Sequence, residues 1–492
     1  MSENKPNIVH GAFLAVAMRW TDRLIGLVST IVLARLLVPA DFGVIATASV
    51  VIAFADVMLE MGVLMVLMQT KSPTVADYDT AWTIRLIQTS IMTALVLIGA
   101  PYAADYFGNP ELTLVIRVLA LTFVFEGLEN IWIINLQKHQ QYARDFHFMF
   151  SKRIAGFLIT IAVAVIYQSY WAMVAGALGG RLTGVILSYV MHPNRPHFSL
   201  ARFSEIFSLS QWVWLRSIAT YFQRRLHEIV VANRESSATM GTYSLAGQIA
   251  AMPTTELLMP LNRVLFPAFV KVKDDLAELK RVYLLAQSVQ ALIGIPAGVG
   301  MALVAHETVL LMLGEKWMSA VPFVEVLAYM GCMTAITSSG FYVLNTLGKF
   351  KIVAAYSCSQ VLIFAVCAYL IFPEAGADGV ARLRLVLAAF GLFTFTLFLR
   401  RELKGLKARE MLASVFRPAV GAATMAFVII QINQALELPL LPMLALKILC
   451  GGTVYVITVT MIWYLGGRKS GAESWLLERF GPARFRRSDA RP

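Results

Sequence analysis

Charged side chains inside apolar segments are the residues of this sequence whose types and spacing could do chemistry. The first long apolar segment contains Arg19, Asp22 and Arg23, whose spacing of three and four residues places them on one face of a helix. A charge at the centre of a membrane costs roughly 3 kcal/mol or more unless it faces water or a partner. Because a guanidinium presents a fork of donors that matches phosphate oxygens, the arginines favour a phosphate or diphosphate ligand. Arg19 or Arg23 could alternatively neutralise Asp22.

An internal repeat extends this pattern to the second half of the chain. The segment 31–34, Ile-Val-Leu-Ala, is followed by Gly43, and the segment 229–232, Ile-Val-Val-Ala, is followed at the same distance by Gly241. The offset between the two copies is 198 residues. Six apolar segments separate the copies, so both cross the membrane in the same direction. The two halves are therefore predicted to be parallel repeats.

The same offset places an arginine at a matching depth in both halves. Met18 lies opposite Arg216, and Arg19 lies opposite Ser217. Arg263, near the cytoplasmic end of the eighth apolar segment, could face the same cavity or anchor its helix at the surface. The residues predicted to bind an anionic substrate in a cationic cavity are Arg19, Arg23, Arg216 and Arg263. Each arginine could instead pair with a carboxylate elsewhere in the fold.

Four more arginines lie in apolar segments and could line the cavity: Arg85, Arg117, Arg153 and Arg181. Arg153 is expected instead to extend to the cytoplasmic surface beside Lys152.

Acidic residues in the apolar segments form a second set. Asp56 and Glu60 lie one turn apart in the second segment, Glu126 and Glu129 lie one turn apart in the fourth, and Glu256 lies in the middle of the eighth. Such carboxylates can carry protons or bind Na⁺ during coupled transport, or they can be structural partners of the arginines. The structural role is favoured, because nothing in the sequence singles out a coupling site. The candidates for ion coupling or charge pairing are Asp22, Asp56, Glu60 and Glu256, and no cofactor is expected beyond such an H⁺ or Na⁺ ion.

The elements that must position these charges are membrane-spanning helices. The chain has 492 residues, of which 58% are hydrophobic and 15% charged, and about fourteen apolar stretches are long enough to cross a bilayer. The fourth, fifth and sixth of these spans are predicted at 112–136, 146–167 and 170–191. Lys and Arg are concentrated in alternate connections, which predicts that both termini are cytoplasmic. Because these loops and the tail account for most of the net charge of +12, no nucleic-acid partner is expected.

The repeat and the longest connections divide the chain into five parts. They are an N-terminal six-helix lobe at 1–192, a cytoplasmic linker at 193–206, a C-terminal six-helix lobe at 207–400, two additional helices at 401–466, and a basic cytoplasmic tail at 467–492. The apolar residues of the linker are spaced as in an amphipathic helix at the membrane interface. A plain connection between the lobes fits this linker equally well.

Sequence motifs for catalysis are absent. The chain has no phosphate-binding loop for ATP, no HExxH and no GxSxG, and its connections are short. Its cysteines, Cys332, Cys358, Cys367 and Cys450, all lie in apolar segments and are interpreted as packing residues. These features favour a transporter over an enzyme.

Two stretches of the chain carry a resemblance to a known family. Residues 31–69, IVLARLLVPADFGVIATASVVIAFADVMLEMGVLMVLMQ, resemble the opening of the Wzx-type polysaccharide flippases of the multidrug/oligosaccharidyl-lipid/polysaccharide (MOP) exporter superfamily. Residues 241–275, with YSLA at 243–246, PLNR at 260–263 and LFPAF at 265–269, are similar to the branch that includes colanic-acid-type exporters. The similarity extends from about residue 10 to 350.

The resemblance implies an all-α fold of fourteen helices, with two six-helix lobes in a V, as in MATE transporters, and two extra C-terminal helices. It implies a protein of the bacterial inner membrane that moves undecaprenyl-diphosphate-linked oligosaccharide from the cytoplasmic to the periplasmic leaflet by alternating access, for surface or exopolysaccharide synthesis. Arg19 and Arg23 match the diphosphate-binding arginines of the family by position, and Arg216 matches them through the repeat. Membrane lipids, a polysaccharide polymerase and export machinery are the other expected partners.

Two other functions stay open at this point. A cation-coupled multidrug antiporter of the same fold would need an acidic or apolar cavity for cationic drugs. An integral membrane polymerase or glycosyltransferase would need a larger external loop than this chain has.

Overall fold

The computed structural model describes residues 8–59, 63–203, 211–467 and 471–474. Within these ranges the chain is helical and contains no strand. Glu60 and most of the basic tail lie outside the described residues, as do residues 204–206 of the linker and 207–210 after it.

The described residues of the first half of the chain form nine α-helices and one short 3₁₀ helix. They are α1 (Ile8–Leu36), α2 (Pro39–Leu59), α3 (Val63–Gln69), α4 (Val75–Tyr106), α5 (Glu111–Leu128), the 3₁₀ helix (Ile131–Ile134), α6 (Asn135–Lys138), α7 (Tyr142–Tyr167), α8 (Trp171–Met191) and α9 (Gln211–Arg234).

Up to residue 467, the second half adds seven α-helices and a second 3₁₀ helix. They are α10 (Ser237–Lys271), α11 (Leu276–Leu303), α12 (Ala305–Met312), the 3₁₀ helix (Glu315–Ala320), α13 (Val321–Thr346), α14 (Phe350–Glu402), α15 (Ala408–Ala435) and α16 (Leu440–Leu465). The helix α14 is two helices joined at a kink, where Gly376 has a φ of 60°.

The helices confirm an all-α polytopic membrane protein. Among the described residues, ten helical segments are long and apolar enough to cross a bilayer. The remaining long helices fit the predicted count of about fourteen. One predicted span is wrong in detail, because the fourth does not continue as a single helix to residue 136. It ends at Leu128, and Glu129 adopts an extended backbone with ψ of 132°.

The chain divides into two compact units, Met1–Gly241 and Thr242–Pro492. The helix α9 therefore belongs to the first unit, whereas the sequence analysis placed residues from 207 onward in the second lobe. Its packing on α2 explains the assignment, since the hydroxyl of buried Tyr221 donates to the carbonyl of Val50 at 2.8 Å. The division into two repeated lobes stays a prediction.

Inside the first unit, α7 and α8 approach each other closely through glycines. A Cβ on Gly156 would lie 3.0 Å from the carbonyl oxygen of Gly176 and 3.5 Å from the Cα of Gly180. Backbones pack at this distance only where side chains are absent, as the four-residue glycine spacing in α8 predicts. The close pair fixes the positions of the charged residues that α7 and α8 carry.

The start of α2 meets the start of α10 in a reciprocal contact. A Cβ on Gly43 would collide with the backbone of Ser237, and a Cβ on Gly241 would collide with the backbone of Pro39. Under the 198-residue offset, Pro39 is equivalent to Ser237 and Gly43 is equivalent to Gly241. The contact therefore exchanges equivalent positions, which supports the repeat that the sequence predicts.

The linker after α8 is extended from His192 to Leu200 and lies along the start of α4. The amide of His197 donates to Asp79 Oδ1 at 3.0 Å, and the amide of Ser199 donates to Thr83 Oγ1 at 3.0 Å. No helix forms between residues 192 and 200, and because residues 204–206 lie outside the described residues, both alternatives for the linker stay predictions.

The second unit holds its last two helices through buried charges. Lys447 of α16 is 2% exposed and pairs with Glu307 of α12. Arg417 of α15 pairs with Glu473, in the described part of the tail, at 3.0 Å. The sequence analysis missed Lys447, because a single lysine hardly changes the mean hydropathy of its segment.

Candidate functional site

The candidate site is a line of charged side chains that crosses the first unit. It begins on α1, where Arg19, Asp22 and Arg23 occupy neighbouring turns. Asp22 Oδ1 lies 2.9 Å from Nε of Arg153, which belongs to α7. Arg19 is half-buried and has no ion-pair partner among the residues that the structure describes. The partner of Asp22 is therefore on another helix, and no described carboxylate pairs with Arg19.

Two adjacent basic residues of α7 reach in different directions because glycines make room for them. A Cβ on Gly26 of α1 would lie 2.9 Å from Nη2 of Arg153. A Cβ on Gly184 of α8 would lie 2.5 Å from Cε of Lys152 and 2.9 Å from its Nζ. Lys152 and Arg153 therefore pair with carboxylates of different helices, and the extension of Arg153 to the membrane surface stays a prediction. Each side chain crosses a glycine to a carboxylate within the unit.

Lys152 leads to Glu129, at the point where α5 breaks. Nζ of Lys152 lies 2.8 Å from Glu129 Oε2, and the Glu129 side chain is only 10% exposed. The next residue, Asn130, fixes the break, because its amide donates to Ser188 Oγ at 3.0 Å and its side chain donates to the carbonyl of Asn194 at 2.8 Å. The break thus directs Glu129 toward α7 instead of continuing the helix.

One turn before the break, Glu126 lies between two arginines. Its Oε1 accepts a hydrogen bond from Nη2 of Arg85, on α4, at 3.2 Å. Its Oε2 lies 3.3 Å from Nη1 of Arg181, on α8. Arg85 is 14% exposed and Arg181 is 38% exposed, so Arg181 is the more accessible of the two guanidiniums.

Taken together, these residues form a cationic cluster held by five helices. Its members are Arg19, Asp22 and Arg23 on α1, Arg85 on α4, Glu126 and Glu129 at the end of α5, Lys152 and Arg153 on α7, and Arg181 on α8. The cationic side chains outnumber the carboxylates. A low-dielectric region with surplus guanidiniums can bind an oxyanion, and phosphate oxygens match the guanidinium fork best.

The other predicted site residues belong to the second unit or are not described in full. Arg216 lies in the first turns of α9, and its side chain falls outside the described residues. Arg263 is exposed on α10 in the second unit. Arg117, on α5, donates from its Nε to the carbonyl of Leu97 at 3.4 Å.

The carboxylates proposed for ion coupling are dispersed. Asp56 is exposed on α2, Glu256 is half-buried on α10, and Asp22 pairs with Arg153. The carboxylates of the cluster are Asp22, Glu126 and Glu129, and only Asp22 was predicted as a candidate for ion coupling. The one-turn spacing of Glu126 and Glu129 was visible in the sequence, but their partners were not.

Comparison with known proteins identifies the family. Residues 32–322 match the model of a family described as "Polysaccharide biosynthesis protein". The chain belongs to this family. Two relatives are similar to this polysaccharide biosynthesis family member over most of their length or almost two thirds of it. The lipopolysaccharide biosynthesis protein WzxC of Escherichia coli K12 is 28% identical over 63% of this chain and 64% of its own length. An uncharacterized membrane protein in the cps region of Klebsiella pneumoniae is 24% identical over 89% and 91%.

Solved structures show that this polysaccharide biosynthesis family member has the MOP-superfamily fold. The lipid II flippase MurJ in an inward closed conformation superposes with a TM-score of 0.74 over 92% of this chain and 99% of that protein, at 11% identity. An inward-facing multidrug resistance MATE transporter of the MOP superfamily gives a TM-score of 0.63 over 78% and 94%, at 13% identity. At these identities the likeness concerns the fold alone.

Proposed function

We propose that this protein moves undecaprenyl-diphosphate-linked oligosaccharide from the cytoplasmic to the periplasmic leaflet of the bacterial inner membrane by alternating access. The observation that carries the proposal is the surplus of guanidiniums in the cluster of the first unit, several of them in apolar helices. Buried positive charge is costly unless an anion offsets it, and a diphosphate is the anion that a lipid-linked sugar carries. The names of the relatives, which concern lipopolysaccharide and teichuronic acid synthesis, support the polymer class.

The proposed diphosphate-binding residues are Arg19, Arg23 and Arg216, with Arg263 as a further contributor. Arg19 is the strongest of these, since it is half-buried and no described carboxylate pairs with it. The chain has no ATP-binding loop, so coupling to H⁺ or Na⁺ through a carboxylate such as Asp22, Asp56, Glu60 or Glu256 is part of the proposal. A polysaccharide polymerase would use the product on the periplasmic side.

A cation-exporting antiporter fits the cluster poorly. A cation-coupled multidrug antiporter would bind cationic drugs in an acidic or apolar cavity, and the charged line of the first unit is neither, because its surplus charge is positive.

The test is the replacement of Arg19, Arg23 and Arg216 by alanine in one variant. The triple variant should insert normally, stop the appearance of surface polysaccharide and leave lipid-linked repeat units inside the cell. Arg281→Ala with Arg382→Ala is the matched control, since both arginines form exposed ion pairs within their own helices. Normal surface polymer in the triple variant would contradict the assignment of the site.

A further inference from the structure

Glu126 has an arrangement that the binding of a diphosphate by Arg19 and Arg23 does not explain. We infer that Glu126 is an internal anion that competes with a phosphate group of the lipid-linked substrate for the guanidinium of Arg181. This inference rests on the proposed function, because it adds a second anion position to the same transport cycle. Arg181 is then a residue that contacts substrate, and Glu126 is a positioning residue that regulates its release.

The geometry around Glu126 leaves N–H donors of Arg181 without a contact to this carboxylate. Its single negative charge faces two guanidiniums, and each carboxylate oxygen contacts only one arginine, at 3.2 Å for Arg85 and 3.3 Å for Arg181. A tight charge-assisted pair has N···O distances of about 2.7–2.9 Å and is frequently bidentate. Arg181 therefore keeps most of its five N–H donors for another acceptor.

The position of Arg181 along α8 favours a role in ligand binding over a role as a surface anchor. It lies in the middle of α8, so its Cα is about 15 Å from either end of the helix at 1.5 Å per residue. At that depth a guanidinium needs an anion or water at all times. If a phosphate group replaces the carboxylate of Glu126, the guanidinium of Arg181 has an anion beside it throughout the replacement.

The two arginines differ in a way that determines which one exchanges. Arg85 is 14% exposed and donates the only hydrogen bond recorded between this carboxylate and a described arginine. Arg181 is 38% exposed and contacts Glu126 as an ion pair. Glu126 can thus stay on Arg85 while it releases Arg181, which limits the rearrangement to one contact.

Glu129, one turn after Glu126, differs from it in charge balance and exposure. Glu129 pairs with one cation, Lys152, at 2.8 Å, and the two side chains are 10% and 18% exposed. The single positive charge of Lys152 balances the single negative charge of Glu129, and both side chains are poorly accessible to solvent. An incoming anion would find no surplus at Glu129, so the exchange is specific to the position one turn earlier.

The test measures binding of farnesyl diphosphate, a short prenyl diphosphate, to the purified full-length protein in nanodiscs by calorimetry. Glu126→Gln removes the competing charge and should tighten binding by about tenfold, equivalent to about 1.4 kcal/mol. Arg181→Ala should weaken binding. In the Arg181→Ala background, Glu126→Gln should have little further effect, because the two residues act on one contact.

Two further variants keep the result interpretable. Glu126→Asp withdraws the carboxylate by one methylene while it keeps the charge, and it should tighten binding by a smaller factor than Glu126→Gln. Glu402→Gln is the matched control, since Glu402 pairs with Lys349 at 2.7 Å in the second unit and should leave binding unchanged.

The outcomes separate the inference from the function on which it rests. Unchanged or weaker binding by both Glu126 variants, with diphosphate still bound through Arg19, would overturn the inference alone. Absence of diphosphate binding in the wild-type protein would overturn the proposed function and the inference with it. A tighter Glu126→Gln complex that depends on Arg181 would support both.

Discussion

The two units treat intramembrane charge differently. In the first unit, carboxylates are shared, as Glu126 is between Arg85 and Arg181, and positive charge is in surplus. In the second unit, Lys447 pairs one to one with Glu307, and Arg417 pairs one to one with Glu473. Balanced, enclosed pairs hold helices together, whereas shared and partly exposed charges can accept a ligand. We propose from this difference that the first unit binds the anion, while these second-unit pairs hold α15 and α16.

The largest effect should come from breaking the buried pair of the second unit. Lys447→Ala leaves the carboxylate of Glu307 buried without a cation, and one of its oxygens already has no hydrogen-bond partner. Loss of one partner from such a pair costs about 3 kcal/mol or more. The apparent melting temperature of the purified protein should fall clearly.

A double variant shows whether this pair is structural. Glu307→Leu with Lys447→Met removes both charges and keeps the volume, and it should recover most of the lost stability. Binding of prenyl diphosphate per folded molecule should stay at the wild-type level in both variants. A stable double variant that no longer binds would remove the distinction between the units.

The next largest effect is expected at a glycine of the charged cluster. In Gly184→Ala the new methyl group would overlap the end of Lys152, which must then move away from Glu129. We expect a loss of about 1–2 kcal/mol in stability, as for overpacking of a tight site. Gly99→Ala is the control within the same unit, because a Cβ there meets nothing within 4 Å. Equal melting temperatures for the two variants would contradict the proposed position of Lys152.

A third prediction concerns transport by the cluster. Glu126→Gln should lower the substrate concentration that gives half-maximal transport and also lower the maximal rate, because a tighter complex releases its ligand more slowly. Glu129→Gln should instead reduce stability, since Lys152 loses the carboxylate with which it pairs. Transport of a fluorescent lipid-linked sugar into proteoliposomes would measure both rates. Identical kinetic changes in the two variants would contradict the division between an exchanging and a fixed carboxylate.

The smallest effect should appear at the linker, where positive charge is also in surplus. Burial of His192, with the nearby charges of Arg195 and Arg144, lowers the pKa of this imidazole below its ordinary 6.5. Below pH 6.5 the detached linker therefore binds more protons than the docked linker, so acid destabilises docking. Tryptic cleavage after Arg202 should accelerate at pH 5.5 relative to pH 7.5, by less than about tenfold.

A variant that preserves the stacking of residue 192 on Trp132 is the control for this pH effect. His192 stacks on Trp132 with a ring-centroid distance of 5.5 Å, and His192→Phe keeps an aromatic ring without a titratable group. Cleavage of the variant, measured at the same two pH values, corrects for the pH dependence of the protease. An equal acceleration in the two proteins would show that His192 does not control the linker.

Helix positions could be predicted from the sequence because hydropathy acts locally. The predicted spans 146–167 and 170–191 correspond to α7 and α8 within a few residues, and the glycines of α8 predicted their close packing. The break at Glu129 could not be predicted, since it depends on Asn130 bonding to Ser188 and Asn194, which lie far away in the sequence.

The charges of the site were visible in the sequence, but their pairing was not. Arg153 turns to Asp22 and Lys152 to Glu129 because Gly26 and Gly184 leave space on neighbouring helices. Such a choice depends on which helices are neighbours, and one sequence does not contain that information.

The central claim is that the surplus positive charge of the first unit binds a lipid diphosphate. The most direct measurement compares the binding of farnesyl diphosphate and farnesol to the wild-type protein in nanodiscs at low and high salt. The account predicts that farnesyl diphosphate binds at least about tenfold more tightly than farnesol and that only its binding weakens as salt rises. Equal affinity for the two compounds, unaffected by salt, would contradict the claim.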